Sequence, residues 1–305
     1  MYALKRVLVG LDLTPMDDTL IAYTRFLCDQ LDIGHLYFFH AERSLQWDVE
    51  ISGDQEAVME PLDETLKQQM QERVRQTFAD LPIEVHIEVV EGDPSREVLH
   101  WSQIKQVDLV ILGKKKLEHG QGVVPDRISR KAPCAVLIVP EDVPVKLEHV
   151  LIPIDFSPYS DMALDVVAEF SVKTLSMRVI ALVVTKVPTG FYTTGKSYEE
   201  FSTLIQNNAH EKLRKFIAKS SAAQLDVKPV IVVEDKKAVG DVIHDVAGQE
   251  GADLIIVGSK GQSAASVLLL GSVTERLIRR SDKIPALIVK KKGETLGFLD
   301  ALLRV

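Results

Sequence analysis

The residues best suited to chemistry lie in one short stretch. Gly258-Ser259-Lys260-Gly261 is followed, nine residues on, by Gly271-Ser272-Val273-Thr274. Glycines at a strand exit let the backbone adopt left-handed angles and come close to a ligand. Gly271-Ser272 reads as the opening of a helix over Val273–Arg280, whose first amides have no partner inside the helix. Those amides and the positive end of the helix dipole favour an anion. The hydroxyls of Ser272 and Thr274 are expected to donate to the same phosphate. At about 1.5–3 kcal/mol for each charge-assisted hydrogen bond, roughly four of them support micromolar affinity, about −8 kcal/mol after ordering costs. Read without context, the glycines would only end a strand and make a turn.

The elements that must position this stretch are set by an internal repeat. Arg6-Val7-Leu8-Val9-Gly10-Leu11-Asp12-Leu13-Thr14-Pro15 aligns with His149-Val150-Leu151-Ile152-Pro153-Ile154-Asp155-Phe156-Ser157-Pro158. Asp108–Gly113 aligns with Asp253–Gly258, and 135–139 aligns with the run Pro285–Val289. Two domains follow, over residues 1–142 and 147–292, with a linker near Pro140–Lys146 and a tail over 293–305. Short, nearly continuous β-branched runs predict strands buried on both faces, as in a parallel sheet. They fall near 5–11, 35–40, 83–90, 107–112 and 134–139, and again near 148–154, 178–184, 228–234, 253–257 and 285–290. Helical spacing separates them, as in Leu164, Val167, Ala168 and Phe170. Thr14-Pro15 and Ser157-Pro158 predict helix starts, a capping hydroxyl followed by proline at the first position. The fold class is therefore α/β: two tandem, doubly wound, open parallel sheets. In such sheets ligands bind beyond the carboxyl ends of the strands, where strand order reverses. Asp155 and the loop after Gly258 should meet there.

Composition narrows the partners. Apolar residues make up 46% and charged residues 26%, an ordinary globular balance. A net charge of −8 argues against a general electrostatic grip on nucleic acid or an anionic membrane, so neither is an expected partner. Any phosphate must be held by local geometry. Cys28 and Cys134 are too few for a disulfide framework and read as buried thiols. The start of the chain lacks a signal-peptide pattern and no run nears the ~20 residues of a bilayer span, which makes cytoplasmic the default.

The full Gly-x2-Gly-x9-Gly-Ser pattern, in place between two strands, resembles that of the universal stress protein family, in its tandem two-domain form. The resemblance covers nearly the whole chain and implies an adenine nucleotide alpha hydrolase-like fold. In the ATP-binding branch of that family this pattern holds the phosphates and ribose, the first-strand Asp binds ribose, and a valine after the second strand contacts adenine through its backbone. Carried over, the implied nucleotide positions are Pro153, Ile154, Asp155, Val184, Gly258, Lys260, Gly261, Gly271, Ser272, Val273 and Thr274. The implied ligand is ATP or another adenine nucleotide, with or without Mg2+. Asp155 suits its role on chemical grounds too, since a carboxylate accepts from both ribose hydroxyls; its plainer reading is a cap or salt bridge. Single-domain relatives pair through their last strands, which implies an internal pseudo-dimer with 134–139 beside 285–290. A homodimer of the whole chain stays open.

The first copy departs from the pattern. Lys116 replaces the counterpart of Gly261, and the loop is five residues shorter. Aligning backward from the last strand puts Gln121 and Gly122 at Gly271 and Ser272, and Pro125-Asp126 in the first turn of the next helix. That removes an amide and sets an acid where phosphate would go, so only the second domain is expected to hold nucleotide. Lys114-Lys115-Lys116 reads as a solvated surface, with a replacement phosphate site as the other reading. His35, His40, Glu42 and His86 show no metal-ligand spacing and lie on different elements, so no metal site is expected. No nucleophile elbow and no Walker loop occurs. The leading function is a nucleotide-binding regulatory protein of the stress response. A slow ATPase or phosphotransferase and a nucleotide-free scaffold are the alternatives. The apolar tail (Leu296, Phe298, Leu299, Leu302, Leu303) is expected to pack on protein, not on a membrane.

Overall fold

The computed structural model describes residues 3–44, 62–116, 123–174, 176–262, 270–280 and 283–294. Buried β-branched runs become strands, and the segments with helical spacing become helices. The first half runs β1 (Arg6–Gly10), α1 (Met16–Gln30), β2 (His35–Glu42), α2 (Leu62–Phe78), β3 (Glu84–Glu91), α3 (Pro94–Ile104), β4 (Leu109–Lys114), α4 (Val123–Lys131) and β5 (Ala135–Pro140). The second half repeats it: β6 (His149–Pro153), α5 (Pro158–Ser171), β7 (Arg178–Thr185), α6 (Tyr198–Ile217), β8 (Val227–Val233), α7 (Val239–Gln249), β9 (Leu254–Gly258), α8 (Ser272–Arg280) and β10 (Ala286–Val289). A four-residue 3-10 turn, Phe191–Thr194, precedes α6.

The ten strands of the described residues form one sheet in the order β3-β2-β1-β4-β5-β10-β9-β6-β7-β8. Pairing is parallel within each half, and the order reverses beside β1 in one and β6 in the other. The chain is thus two α/β halves, each with an open parallel sheet. Between them β5 and β10 pair antiparallel, with Ala286 opposite Ile138, Leu287 opposite Leu137 and Ile288 opposite Val136. Both strands are buried along their whole length, so neither leaves an open edge. Each face carries one apolar cluster drawing on both halves. One packs under α1, α2, α5 and α6, the other under α3, α4, α7 and α8.

The two helix starts differ. Ser157 caps α5 by accepting from the Ser160 amide, with Pro158 first in the helix, as the sequence predicts. Thr14 does not cap α1: its hydroxyl donates to Asp12 at 2.6 Å. Pro15 occupies the cap position of α1, and its side chain offers no oxygen to the first helix amides. Both cysteines are buried free thiols, and burial pushes each up to about 12. Among the described residues no helix is long and apolar enough to cross a membrane. The tail beyond Glu294, with Leu296, Phe298, Leu299, Leu302 and Leu303, lies outside the described residues.

The junction also carries polar contacts. Lys114 Nζ donates to the carbonyls of Ile278 and Arg279, in the last turn of α8, at 2.6 and 2.8 Å. Lys290 reaches the other way, donating to Ala132 O just past α4 at 2.9 Å. Arg130 of α4 pairs with Glu275 of α8. Burial pushes the Lys290 ammonium down to about 8. A folded pKa below the unfolded value means that the buried-charge penalty is complete below pH 8. It is relieved as pH rises from about 8 towards 10.5. Lys290→Met should therefore raise stability at pH 7 by about 2 kcal/mol, the penalty less one lost hydrogen bond. That advantage should shrink between pH 8 and 10 in urea unfolding; a gap independent of pH would contradict it.

Candidate functional site

A cavity of about 630 Å³ opens above the carboxyl ends of β6 and β9, where the strand order of the second half reverses. Every position expected from the sequence lines it: Pro153, Ile154, Asp155, Val184, Gly258, Lys260, Gly261, Gly271, Ser272, Val273 and Thr274. Ser160, Leu182, Val239, Ile243, Val257, Gln262 and Leu270 line it as well, and sequence reasoning did not single them out as a wall. Val239 and Ile243 carried a signal, one helical turn apart at the start of α7, where a helix shows one face.

Asp155 is the hub of the loop. Its Oδ1 accepts from the Ser160 hydroxyl at 2.6 Å and the Ser157 amide at 3.0 Å, and its Oδ2 from the Gln262 amide at 3.0 Å. Burial alone would raise its pKa, but these donors outweigh it and hold the carboxyl below the usual range. The next residue, Phe156, sits at a φ of 64°, and its first-half counterpart Leu13 at 59°. A bulky residue with positive φ is strained. Here it turns the chain sharply after the Asp, and Phe156 repays part of that strain by packing edge-on against Phe216 at 5.5 Å.

The three glycines have different reasons. A Cβ at Gly258 would lie 2.6 Å from the Tyr159 Cβ and 3.1 Å from its backbone carbon, and one at Gly261 would lie 2.7 Å from Asp155 Oδ2. A Cβ at Gly271 would meet nothing closer than Ser259 O at 3.4 Å. Gly271 donates its amide to that same oxygen at 2.8 Å. The first bond of α8 runs from the Glu275 amide to Gly271 O, so the amides of Ser272, Val273 and Thr274 have no preceding turn to donate to.

Two expected donors are committed elsewhere. The Thr274 hydroxyl donates to Gly258 O at 2.8 Å, clipping α8 to β9, because a buried hydroxyl takes the nearest carbonyl. The Lys260 ammonium lies 2.6 Å from Glu294, whose carboxylate also accepts from the Tyr159 hydroxyl at 2.7 Å. Lys260 is 93% buried at its side chain, and a buried ammonium needs such a partner.

The first half has a different end. Its cavity, over β1 and β4, is about 260 Å³ and is lined by Met16, Leu20, Phe39, Val98 and Pro125 among others. Lys115, the counterpart of Lys260, pairs with Asp12 at 2.5 Å. Asp17 stands where the second half has Ser160, fully buried, and takes the amides of Asp12 and Leu13 at 3.0 and 2.9 Å. The three lysines after Gly113 each have a partner: Lys114 caps α8, Lys115 holds Asp12, and Lys116, on the solvated surface, pairs with Asp142. Asp126 no longer distinguishes the halves, because Glu275 occupies the first turn of α8 as Asp126 does that of α4. Gln121 and Gly122 lie outside the described residues. Among the histidines, His40 bonds Leu11 O at 3.0 Å and stays apart, whereas His35 and His86 meet beside Glu84.

The model of the universal stress protein family matches the chain twice, over residues 3–140 and 146–290. The chain belongs to the universal stress protein family. It is 32% identical over 165 residues to universal stress protein MJ0577 of Methanocaldococcus jannaschii, covering 49% of this chain and 98% of that protein. A universal stress protein from Archaeoglobus fulgidus superposes with a TM-score of 0.65 at 17% identity, covering 96% of this chain and 99% of that one, which shows a shared fold. In this universal stress protein the glycine contacts make a stability ranking. Gly258→Ala should cost about 1–3 kcal/mol, because the new Cβ meets rigid backbone. Gly271→Ala should cost less than about 1 kcal/mol, since ordinary van der Waals contact is all it meets. Urea unfolding of both variants checks it, and an equal loss in the two would be inconsistent with these contacts.

Proposed function

We propose that this protein is an adenine-nucleotide-binding regulator of the stress response, and that residues 147–292 alone hold the nucleotide, ATP in the first instance. The observation that carries this reading is the contrast between two cavities at equivalent places. The one in the second half, about 630 Å³, falls inside the 300–1,000 Å³ range of small-molecule sites; the other, at about 260 Å³, falls below it. The adenine would lie against Val184, Val239 and Ile243. The ribose hydroxyls would donate to Asp155, which keeps acceptor capacity beyond its three internal donors. The phosphates would take the amides of Ser272, Val273 and Thr274 with the Ser272 hydroxyl, on the positive end of α8.

Among the described residues, Asp155 is the only carboxylate lining this cavity. The lining therefore has no cage of acids for Mg2+, which would arrive on the phosphates, and no group that singles itself out to activate water. Binding would bias the shape or assembly of the molecule. The antiparallel β5–β10 pair supports reading residues 1–142 and 147–292 as an internal pseudo-dimer, and a cytoplasmic setting suits the two free thiols.

Isothermal titration with ATP should give one site per chain. Asp155→Ala should weaken binding by about 1–3 kcal/mol, the usual effect of losing a charged hydrogen-bond partner. Asp12→Ala should leave affinity unchanged, since Lys115 already occupies that carboxylate. Equal losses in the two variants, or two sites in the wild type, would overturn the asymmetric model.

A further inference from the structure

At the outer edge of the sheet, far from the nucleotide cavity, β2 and β3 begin with His35 and Glu84. The two strands run parallel, with His35 opposite Glu84 and Tyr37 opposite His86. Residues two apart share a face of a strand, so His35, Tyr37, Glu84 and His86 all project from the same side. His35 Nδ1 lies 3.1 Å from Glu84 Oε2, and His86 Nε2 lies 3.6 Å from that same oxygen. One ligand atom from each of the three groups falls within 4.8 Å of the others. The His86 ring stacks on Tyr37 at 5.0 Å and 13°, which fixes its plane. Lys105 is held over the rings of Tyr37 and Trp101.

We propose that His35, Glu84 and His86 form a Zn2+ site with water in the fourth position. Bonds of about 2.0–2.2 Å in a tetrahedron put neighbouring ligand atoms about 3.3–3.5 Å apart, and the two distances to Glu84 bracket that value. Two imidazoles and a carboxylate are a donor set that zinc accepts, whereas Mg2+ and Ca2+ require oxygen ligands throughout. The three side chains are 31%, 68% and 42% exposed, so an ion and its water can enter without opening the fold. Bound there, the ion ties the first residue of the edge strand β3 to β2, its neighbour among the described strands, and bridges one outer edge of the sheet. The site sits at the amino ends of strands in the first half; the nucleotide cavity lies at carboxyl ends in the second. Loading of one should therefore not alter the other.

The full chain, stripped with a chelator, is titrated with Zn2+ against a chromophoric competitor and with Co2+ as a spectroscopic probe. The expected result is one ion per chain and the intense visible absorption of tetrahedral Co2+. His35→Ala and His86→Ala should each weaken Zn2+ by well over about tenfold and abolish the Co2+ band, since losing a direct ligand costs more than losing a supporting group. Glu84→Gln should weaken it also, while His210→Ala, on the exposed face of α6, leaves both readouts unchanged. ATP affinity should match the wild type in all four variants, which keeps this test separate from the nucleotide reading. No stoichiometric uptake by the wild type, or uptake that survives His35→Ala with His86→Ala, would overturn the site.

Discussion

The pairing of β5 with β10 is the constraint on which the rest of this molecule depends. Each half alone would end in a fully apolar strand with an open ladder, Ala135–Pro140 in one and Ala286–Val289 in the other. Joined antiparallel, with Leu137 against Leu287, they remove both edges and fuse two five-stranded sheets into one. Because the pairing is antiparallel, the last helices of the two halves come side by side. That is why Arg130 can meet Glu275, and why Lys114 reaches the final carbonyls of α8. Lys290 supplies the converse contact at the end of α4, at the expense of a buried ammonium.

Besides the change of loop sequence, the two halves differ in where a single lysine goes. Lys115 and Lys260 occupy the same place after β4 and β9. In the second half Glu294 follows the last strand and draws Lys260 to itself, together with the Tyr159 hydroxyl. Asp155 is then left with neutral donors and an open side. In the first half the aligned position is Pro144, and Lys115 has no such acid; it turns to Asp12. Each choice follows from the need to pair a largely buried ammonium, and each sets the chemistry of the aspartate beside it. The fully buried Asp17, in place of Ser160, adds a second negative group on the same side and needs Arg73 to offset it.

Much of this was legible in the sequence, for reasons that differ by feature. The strands announce themselves because runs such as Val7–Val9 and Leu254–Val257 are buried on both faces and need no alternation. The repeat then locates the switch point, and with it the cavity lined by Asp155, Gly258, Lys260, Gly261 and Gly271–Thr274. What stayed hidden depends on three-dimensional neighbours. The start of α1 one residue beyond the Thr14 cap, the clip from Thr274 to Gly258 O and the positive φ of Phe156 are outcomes of packing, not of residue type. Likewise His35, Glu84 and His86 show no ligand spacing along the chain, because strand register alone brings residues 35 and 84 opposite each other.

The helix α8 ties these strands of argument together. Its amino end faces the large cavity with the amides of Ser272, Val273 and Thr274, and its carboxyl end is capped by Lys114 from the other half. A helix dipole is stabilised by a cation at its carboxyl end as it is by an anion at its amino end. The loop that no longer has the glycine pattern has thus acquired a different task. Its first lysine fixes the helix that borders the intact cavity, and its second neutralises the aspartate of its own half. A half without a large cavity of its own therefore still shapes the one beside it, by holding α8 in place from behind.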